Sequence, residues 1–180
     1  MLMEPVTGAT ILLALLSLAV VREQIAAASR PFLTYSSVQT TSTKAGLPSS
    51  TTGFWVVTMQ NVGTGLAVIR TVRFRLSDSL QNINSYDYDY PSALHRLQEK
   101  RLRVGLDFAL YAFSAGGGIG ANTEATVLEL ALDVPATLRV FDLRVEFENT
   151  LGDRYVKEIY CLPRIGLELH VRQHRLIDIA

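Results

Sequence analysis

The sequence predicts a mainly β protein: an N-terminal transmembrane helix, then an antiparallel β-sandwich with one short inserted helix. Three observations predict it. Residues 6–21 form an apolar run with no charge and no Asn, Gln or His. About seven later segments are β-branched, aromatic or alternating, and Gly, Pro and Asn turn signals separate them. One helical pattern interrupts them, without the strand–helix alternation of a doubly wound sheet.

The apolar run is about 16 residues, or roughly 24 Å of helix, against a hydrocarbon core of about 30 Å. Ile11, Leu12, Leu13, Leu15, Leu16 and Leu18 form its centre. Good helix formers continue it through Arg22 to Ala28, and Arg22 can snorkel to the headgroups. Pro5 suits a first helical turn, and Arg30-Pro31 ends the helix. The expected division is therefore an anchor over 1–29 and a β domain over 30–180. A cleaved signal peptide competes, because Ala26-Ala27-Ala28 offers a small-residue cleavage site. The leading Met-Leu-Met-Glu-Pro lacks the basic segment that such a peptide needs. A core helix of a soluble fold is the third reading. Arg22 and Arg30 follow the run and no Lys or Arg precedes it, so the positive-inside rule places the β domain in the cytoplasm.

Strands are expected over 32–39, 54–60, 67–76, 106–113 and 126–132, and a hairpin over 138–148 and 155–162. In 67–76 the alternation groups Val68, Val72, Phe74 and Leu76 on one face, with Arg70 in the series, and Ile69, Thr71, Arg73 and Arg75 on the other. Residues 40–53 read as a Thr/Ser/Gly-rich loop. Residues 91–103 read as the inserted helix, with Leu94, Leu97 and Leu102 on one side. Residues 167–170 offer a last strand.

Lys plus Arg number 17 and Asp plus Glu number 17, so the chain has no net positive charge to bring to a nucleic acid. A single cysteine, Cys161, excludes a disulfide framework or a Cys-rich metal site built from this chain alone. It sits in an expected strand, where a thiol acts as a small hydrophobe.

Arg30-Pro31-Phe32, then Val57-Thr58-Met59-Gln60-Asn61-Val62-Gly63-Thr64-Gly65-Leu66-Ala67, resembles a pattern in uncharacterised bacterial membrane-anchored proteins. The hairpin from Leu143 through Asn149-Thr150-Leu151-Gly152-Asp153 to Tyr155 is similar to theirs. The resemblance covers most of the chain and implies a single-pass protein of the bacterial inner membrane with an immunoglobulin-like sandwich. It brings across no catalytic residue. The Tyr/Asp loop and the basic helix depart from it.

Gly116 to Ala121 satisfies the outline of a dinucleotide loop, but a strand-like run follows it where a helix N-terminus is required. His170 and His174 have helical metal-ligand spacing in a segment that alternates like a strand. Asp87 and Asp89 lack the further oxygen ligands of a calcium loop. No cofactor or metal is expected. Tyr86, Tyr88 and Tyr90 are candidates for a partner contact, with folding back onto the core as the competing account. Arg96, Lys100, Arg101 and Arg103 are candidates for headgroup or partner contact, with a solvated face as the alternative. The expected function is a non-enzymatic accessory or scaffold subunit of a membrane complex, contacting other integral membrane proteins and lipid. An outward-facing cell-envelope binding module is the alternative.

Overall fold

The computed structural model describes residues 5–41, 47, 53–78, 85–113, 115–132 and 138–162. Helix α1 spans Pro5–Ala28, about 36 Å at 1.5 Å per residue. Its last turn is closed by Ser29, whose N–H and Oγ both donate to the Ile25 carbonyl at 2.9 and 2.7 Å. A helix apolar on all sides belongs in a large core or a membrane. None of the window Gly8–Ala28 is buried against the protein, and it is long and apolar enough to cross a membrane.

The rest is mainly β. Strands β1 (Leu33–Thr40), β2 (Phe54–Asn61), β6 (Thr123–Ala131) and β4 (Phe108–Leu110) form one sheet in the order β1-β2-β6-β4. Strands β5 (Gly118–Ile119), β3 (Ala67–Ser77), β7 (Val140–Glu148) and β8 (Arg154–Tyr160) form another in the order β5-β3-β7-β8. Every pairing between these strands is antiparallel. Phe54, Met59, Leu128 and Leu130 of the first sheet and Ile69, Phe74, Phe141 and Leu143 of the second belong to one buried core. Two sheets sharing a core are compatible with a sandwich.

Chain direction sorts the connections into two poles. The start of β1, the β2–β3 turn, the β5–β6 turn and the β7–β8 turn lie at the pole where α1 arrives. The ends of β1, β3 and β6 lie at the other.

Four expectations need correction. The alternation in β3 breaks at a bulge between Ile69 and Thr71, which shifts the facing by one residue. Ala67 and Ile69 therefore point inward with Phe74 and Leu76, while Arg70 is exposed and pairs with Glu148. The inserted helix α2 is Tyr90–Glu99 and not 91–103. It starts where the Asp89 carboxylate accepts the Ser92 N–H at 2.9 Å. It stops because Arg101 takes a φ of 64° and Leu102 N–H returns to the Leu97 carbonyl at 3.2 Å. The strand expected over 106–113 keeps only Phe108–Leu110. Asp107 holds the preceding residues as a turn, accepting Arg103 N–H at 2.7 Å and donating its own to the Arg103 carbonyl at 2.8 Å. Finally, β6 starts at Thr123 and not 126, and Gly118–Ile119 is an edge strand on β3. The glycine run thus leads through a turn with Asn122 at a φ of 57° into a strand, not a phosphate-binding helix. The last strand expected over 167–170 lies outside the described residues.

Candidate functional site

The most constructed region is the joint between α1 and the β domain. Asn61 is fully buried there. Its Oδ1 accepts the Phe32 and Gly63 N–H groups, each at 3.1 Å. Its Nδ2 donates to the Gly65 carbonyl at 2.7 Å and the Ile119 carbonyl at 2.9 Å. One side chain so ties the chain leaving α1 to the β2–β3 turn and to β5. Val62 N–H adds a bond to the Phe32 carbonyl at 2.9 Å.

The same turn grips the helix end. Thr64 Oγ1 donates to the Ala28 carbonyl. A Cβ at Gly65 would overlap the Ser29 carbonyl, and one at Gly63 would overlap Phe32 N and the Arg30 carbonyl. These two glycines are needed for close backbone approach. Gly65→Ala should therefore lower the domain's stability by about 1–3 kcal/mol, the usual cost of overpacking. A thermal melt in detergent would show it as a lowered Tm.

A second grip comes from the β7–β8 turn. The Arg22 guanidinium lies 3.8 Å from the Asp153 carboxylate. Asn149 shapes that turn by accepting the Leu151 and Asp153 N–H groups at 2.9 Å, and Gly152 takes a φ of 86°. Beside the joint, β1 and β8, the last strands of their sheets among the described residues, flank a groove of about 460 Å³. Phe32, Tyr35, Phe147, Tyr155 and Tyr160 line it together with Arg30 and Lys157. The Arg30 guanidinium lies 5.4 Å from the Tyr155 ring centroid, and Lys157 Nζ lies 5.9 Å from those of Phe32 and Tyr35. Nothing local in the sequence marks these residues as a site. Arg30-Pro31-Phe32 and Tyr155 are visible in the sequence only as structural motifs, and the approach of β1 to β8 is a tertiary fact.

The tyrosines are half-buried while Asp87 and Asp89 are exposed. Tyr88 pairs by its backbone with Phe74, and its side chain packs against the core, as does that of Tyr90. Tyr90 donates its hydroxyl to the Leu110 carbonyl at 3.0 Å and meets the Phe74 ring edge-on. Tyr86 covers Arg75, whose guanidinium lies 4.3 Å from the ring centroid. Burial raises the Tyr86 hydroxyl well above its ordinary pKa.

The cations in and just after α2 are mostly engaged within the chain. Arg96 meets Glu99 at 2.8 Å, Lys100 meets Asp78 at 2.9 Å, and Arg103 meets Asp107 at 3.0 Å. Hydrogen bonds from these cations hold all three carboxyls below their ordinary pKa. Arg101 is exposed. Asp78 follows the far end of β3, so Lys100 lies the length of that strand from the joint, roughly 35 Å at about 3.3 Å per residue.

Cys161 is fully buried, and burial pushes its thiol pKa far up, away from a nucleophilic thiolate. Its carbonyl accepts the Trp55 indole N–H at 2.6 Å. Among the described residues, no three His, Cys, Asp or Glu side chains converge to hold a metal. His170 and His174 lie outside them. The chain matches no model of a known protein family and no functionally characterised protein.

Proposed function

We propose that this chain is a single-pass membrane protein whose β domain is a rigidly mounted, non-enzymatic scaffold for other integral membrane proteins. The joint carries this reading. A roaming binding module suits a flexible linker, whereas here α1 runs to Ala28 and the domain begins at Leu33. Asn61, Thr64, Gly63, Gly65 and the Arg22–Asp153 pair occupy the space between. Such a mount fixes the domain relative to the helix.

The same contacts support a retained anchor over a cleaved signal peptide. Ala26 to Ala28 lie in the last turn of α1, and Thr64 holds the Ala28 carbonyl. Cleavage after Ala28 would discard half of the joint. The strand order supports an immunoglobulin-like sandwich. With β1, β2, β4 and β6 as A, B, D and E, the first sheet reads A-B-E-D. With β3, β7 and β8 as C, F and G, the second reads C-F-G, with β5 added beside C. Helix α2 fills the C–D connection. Arg22 and Arg30 after the helix favour a cytoplasmic domain on an inner membrane under the positive-inside rule.

Within this reading the partner surface is the groove between the β1 and β8 edges, beside the helix that would meet neighbouring membrane helices. Aromatic rings mixed with Arg30 are the composition of a protein contact surface. The tyrosine rings serve the domain's own packing, and the cations in and just after α2 serve ion pairs within the domain.

Two measurements test it. Alkaline extraction should leave the full-length chain in the membrane pellet, with an intact mass that includes residues 1–28. A soluble or shortened chain refutes the anchor. A Gly/Ser insertion after Ser29 should keep membrane retention but abolish co-purification of partners in mild detergent. Unchanged co-purification would favour a tethered module.

A further inference from the structure

The pole where α1 arrives carries apolar side chains that the fold leaves uncovered. Phe32 is 58% exposed, Val62 46%, Leu66 40% and Leu151 39%. They sit on three separate pieces of chain: the helix exit, the β2–β3 turn and the β7–β8 turn. Turn tips of this kind ordinarily carry polar residues. Here each apolar residue stands beside a turn that is held in shape by a buried asparagine, Asn61 or Asn149.

Cations accompany them. Arg22, Arg30 and Arg154 are exposed at the same pole, and Lys157 stands over aromatic rings in the adjoining groove. Apolar and aromatic groups mixed with Lys and Arg are the composition of a membrane–water interface.

The level of this surface follows from one contact. Arg22 is the first residue after the apolar run 6–21, and it reaches Asp153 of the β7–β8 turn at 3.8 Å. If the apolar run lies in hydrocarbon, Arg22 lies at the headgroups, and so does the turn that it touches. An exposed Leu151 two residues from Asp153 then meets the acyl boundary and not water.

We propose that this pole is a lipid-docking face: Val62, Leu66, Leu151 and Phe32 enter the headgroup–acyl boundary of the bilayer that α1 crosses, and Arg22, Arg30 and Arg154 contact anionic headgroups around them. This rests on the anchored reading above and adds the surface on which the domain stands. Helix and turn tips together fix the tilt of the domain, as a single helix alone does not. The groove of β1 and β8 is thereby set just above the headgroups, open sideways along the membrane.

The test uses the full chain in vesicles of phosphatidylcholine and phosphatidylglycerol. With Cys161→Ala as background, single cysteines replace Val62, Leu66, Leu151 or, at the far pole, Val104, which is 49% exposed. All four positions are exposed, so a bimane label leaves the core intact. Lipids with a nitroxide near the top of the acyl chain report contact. The docking face predicts several-fold stronger quenching at 62, 66 and 151 than at 104, and weaker quenching when phosphatidylglycerol is omitted. Equal quenching at all four, with the chain floating with the vesicles, would overturn the lipid face and leave the anchor standing. A chain that fails to float would overturn both.

Discussion

Asn61→Ala should be among the most damaging single substitutions in the β domain, at about 3–5 kcal/mol. The residue is fully buried and makes four hydrogen bonds, to Phe32, Gly63, Gly65 and Ile119. Each bond contributes about 0.5–1.5 kcal/mol net, but a buried group left without its partner costs about 1–3 kcal/mol. Alanine removes one partner from two N–H groups and two carbonyls at once. Water entering the space would recover part of the loss, which places the total below the simple sum. A change of that size lowers Tm by roughly 6–20 °C in a domain of this length, read by circular dichroism in detergent. Asn61→Asp sharpens the test. It keeps the acceptor for Phe32 and Gly63 but turns a carboxylate oxygen toward the Gly65 and Ile119 carbonyls, so it should fare no better. A loss under about 1 kcal/mol for either variant would mean that the joint is not organised around this side chain.

How much of this was legible in the sequence varies with the range of the interaction concerned. The apolar run and the β-branched segments are local signals, so α1, β2 and the β7–β8 hairpin were expected close to where they stand. The ends of α2 and β4 were not. They depend on Arg101 adopting a left-handed conformation and on the Asp107 carboxylate capturing Arg103, side-chain choices with no periodic trace. The β3 bulge was marked only by Arg70 interrupting an apolar face, and the pairing that shows it, Ile69 with Phe147 and Thr71 with Glu146, is long-range. At the candidate site, Asn61 and the two glycines were visible as turn residues. Their closeness to Ser29 and Phe32, some thirty positions back, follows only from the packing of the finished fold. The same is true of the tyrosines. Alternation put three rings on one side of the segment, and the contacts of Tyr88 and Tyr90 with Phe74 arise only once β3 runs beside it.

Arg75→Ala should cost about 3–5 kcal/mol, and Tyr86→Ala about 0.5–2 kcal/mol through the same cluster. Arg75 Nε and Nη2 both donate to Asp142 Oδ2, at 2.9 and 2.7 Å. The Asp142 side chain is 1% exposed and that of Arg75 is 13% exposed. A carboxylate so far from water depends on its guanidinium, and removing the cation alone leaves a buried charge uncompensated. Tyr86 closes the cluster from outside, its ring over the guanidinium. A desolvated cation–aromatic contact is worth about 0.5–2 kcal/mol, and opening it also lets water screen the ion pair. Arg75→Lys should fall between wild type and Arg75→Ala, because a lysine keeps the charge but cannot present two N–H groups from a planar fork. Replacing both partners, as Arg75→Met with Asp142→Leu, should recover much of the loss, since an apolar pair has no charge to strand. Urea denaturation of these four variants, and of Tyr86→Ala in the Arg75→Met, Asp142→Leu background, reads the order directly in detergent. The order also decides what Tyr86 is for. If Tyr86→Ala destabilises the purified chain, and does so much less in the Arg75→Met, Asp142→Leu background, the ring belongs to this cluster. If it leaves the purified chain unchanged in both backgrounds, the ring is free to serve a partner, and the tyrosine segment returns as a contact surface.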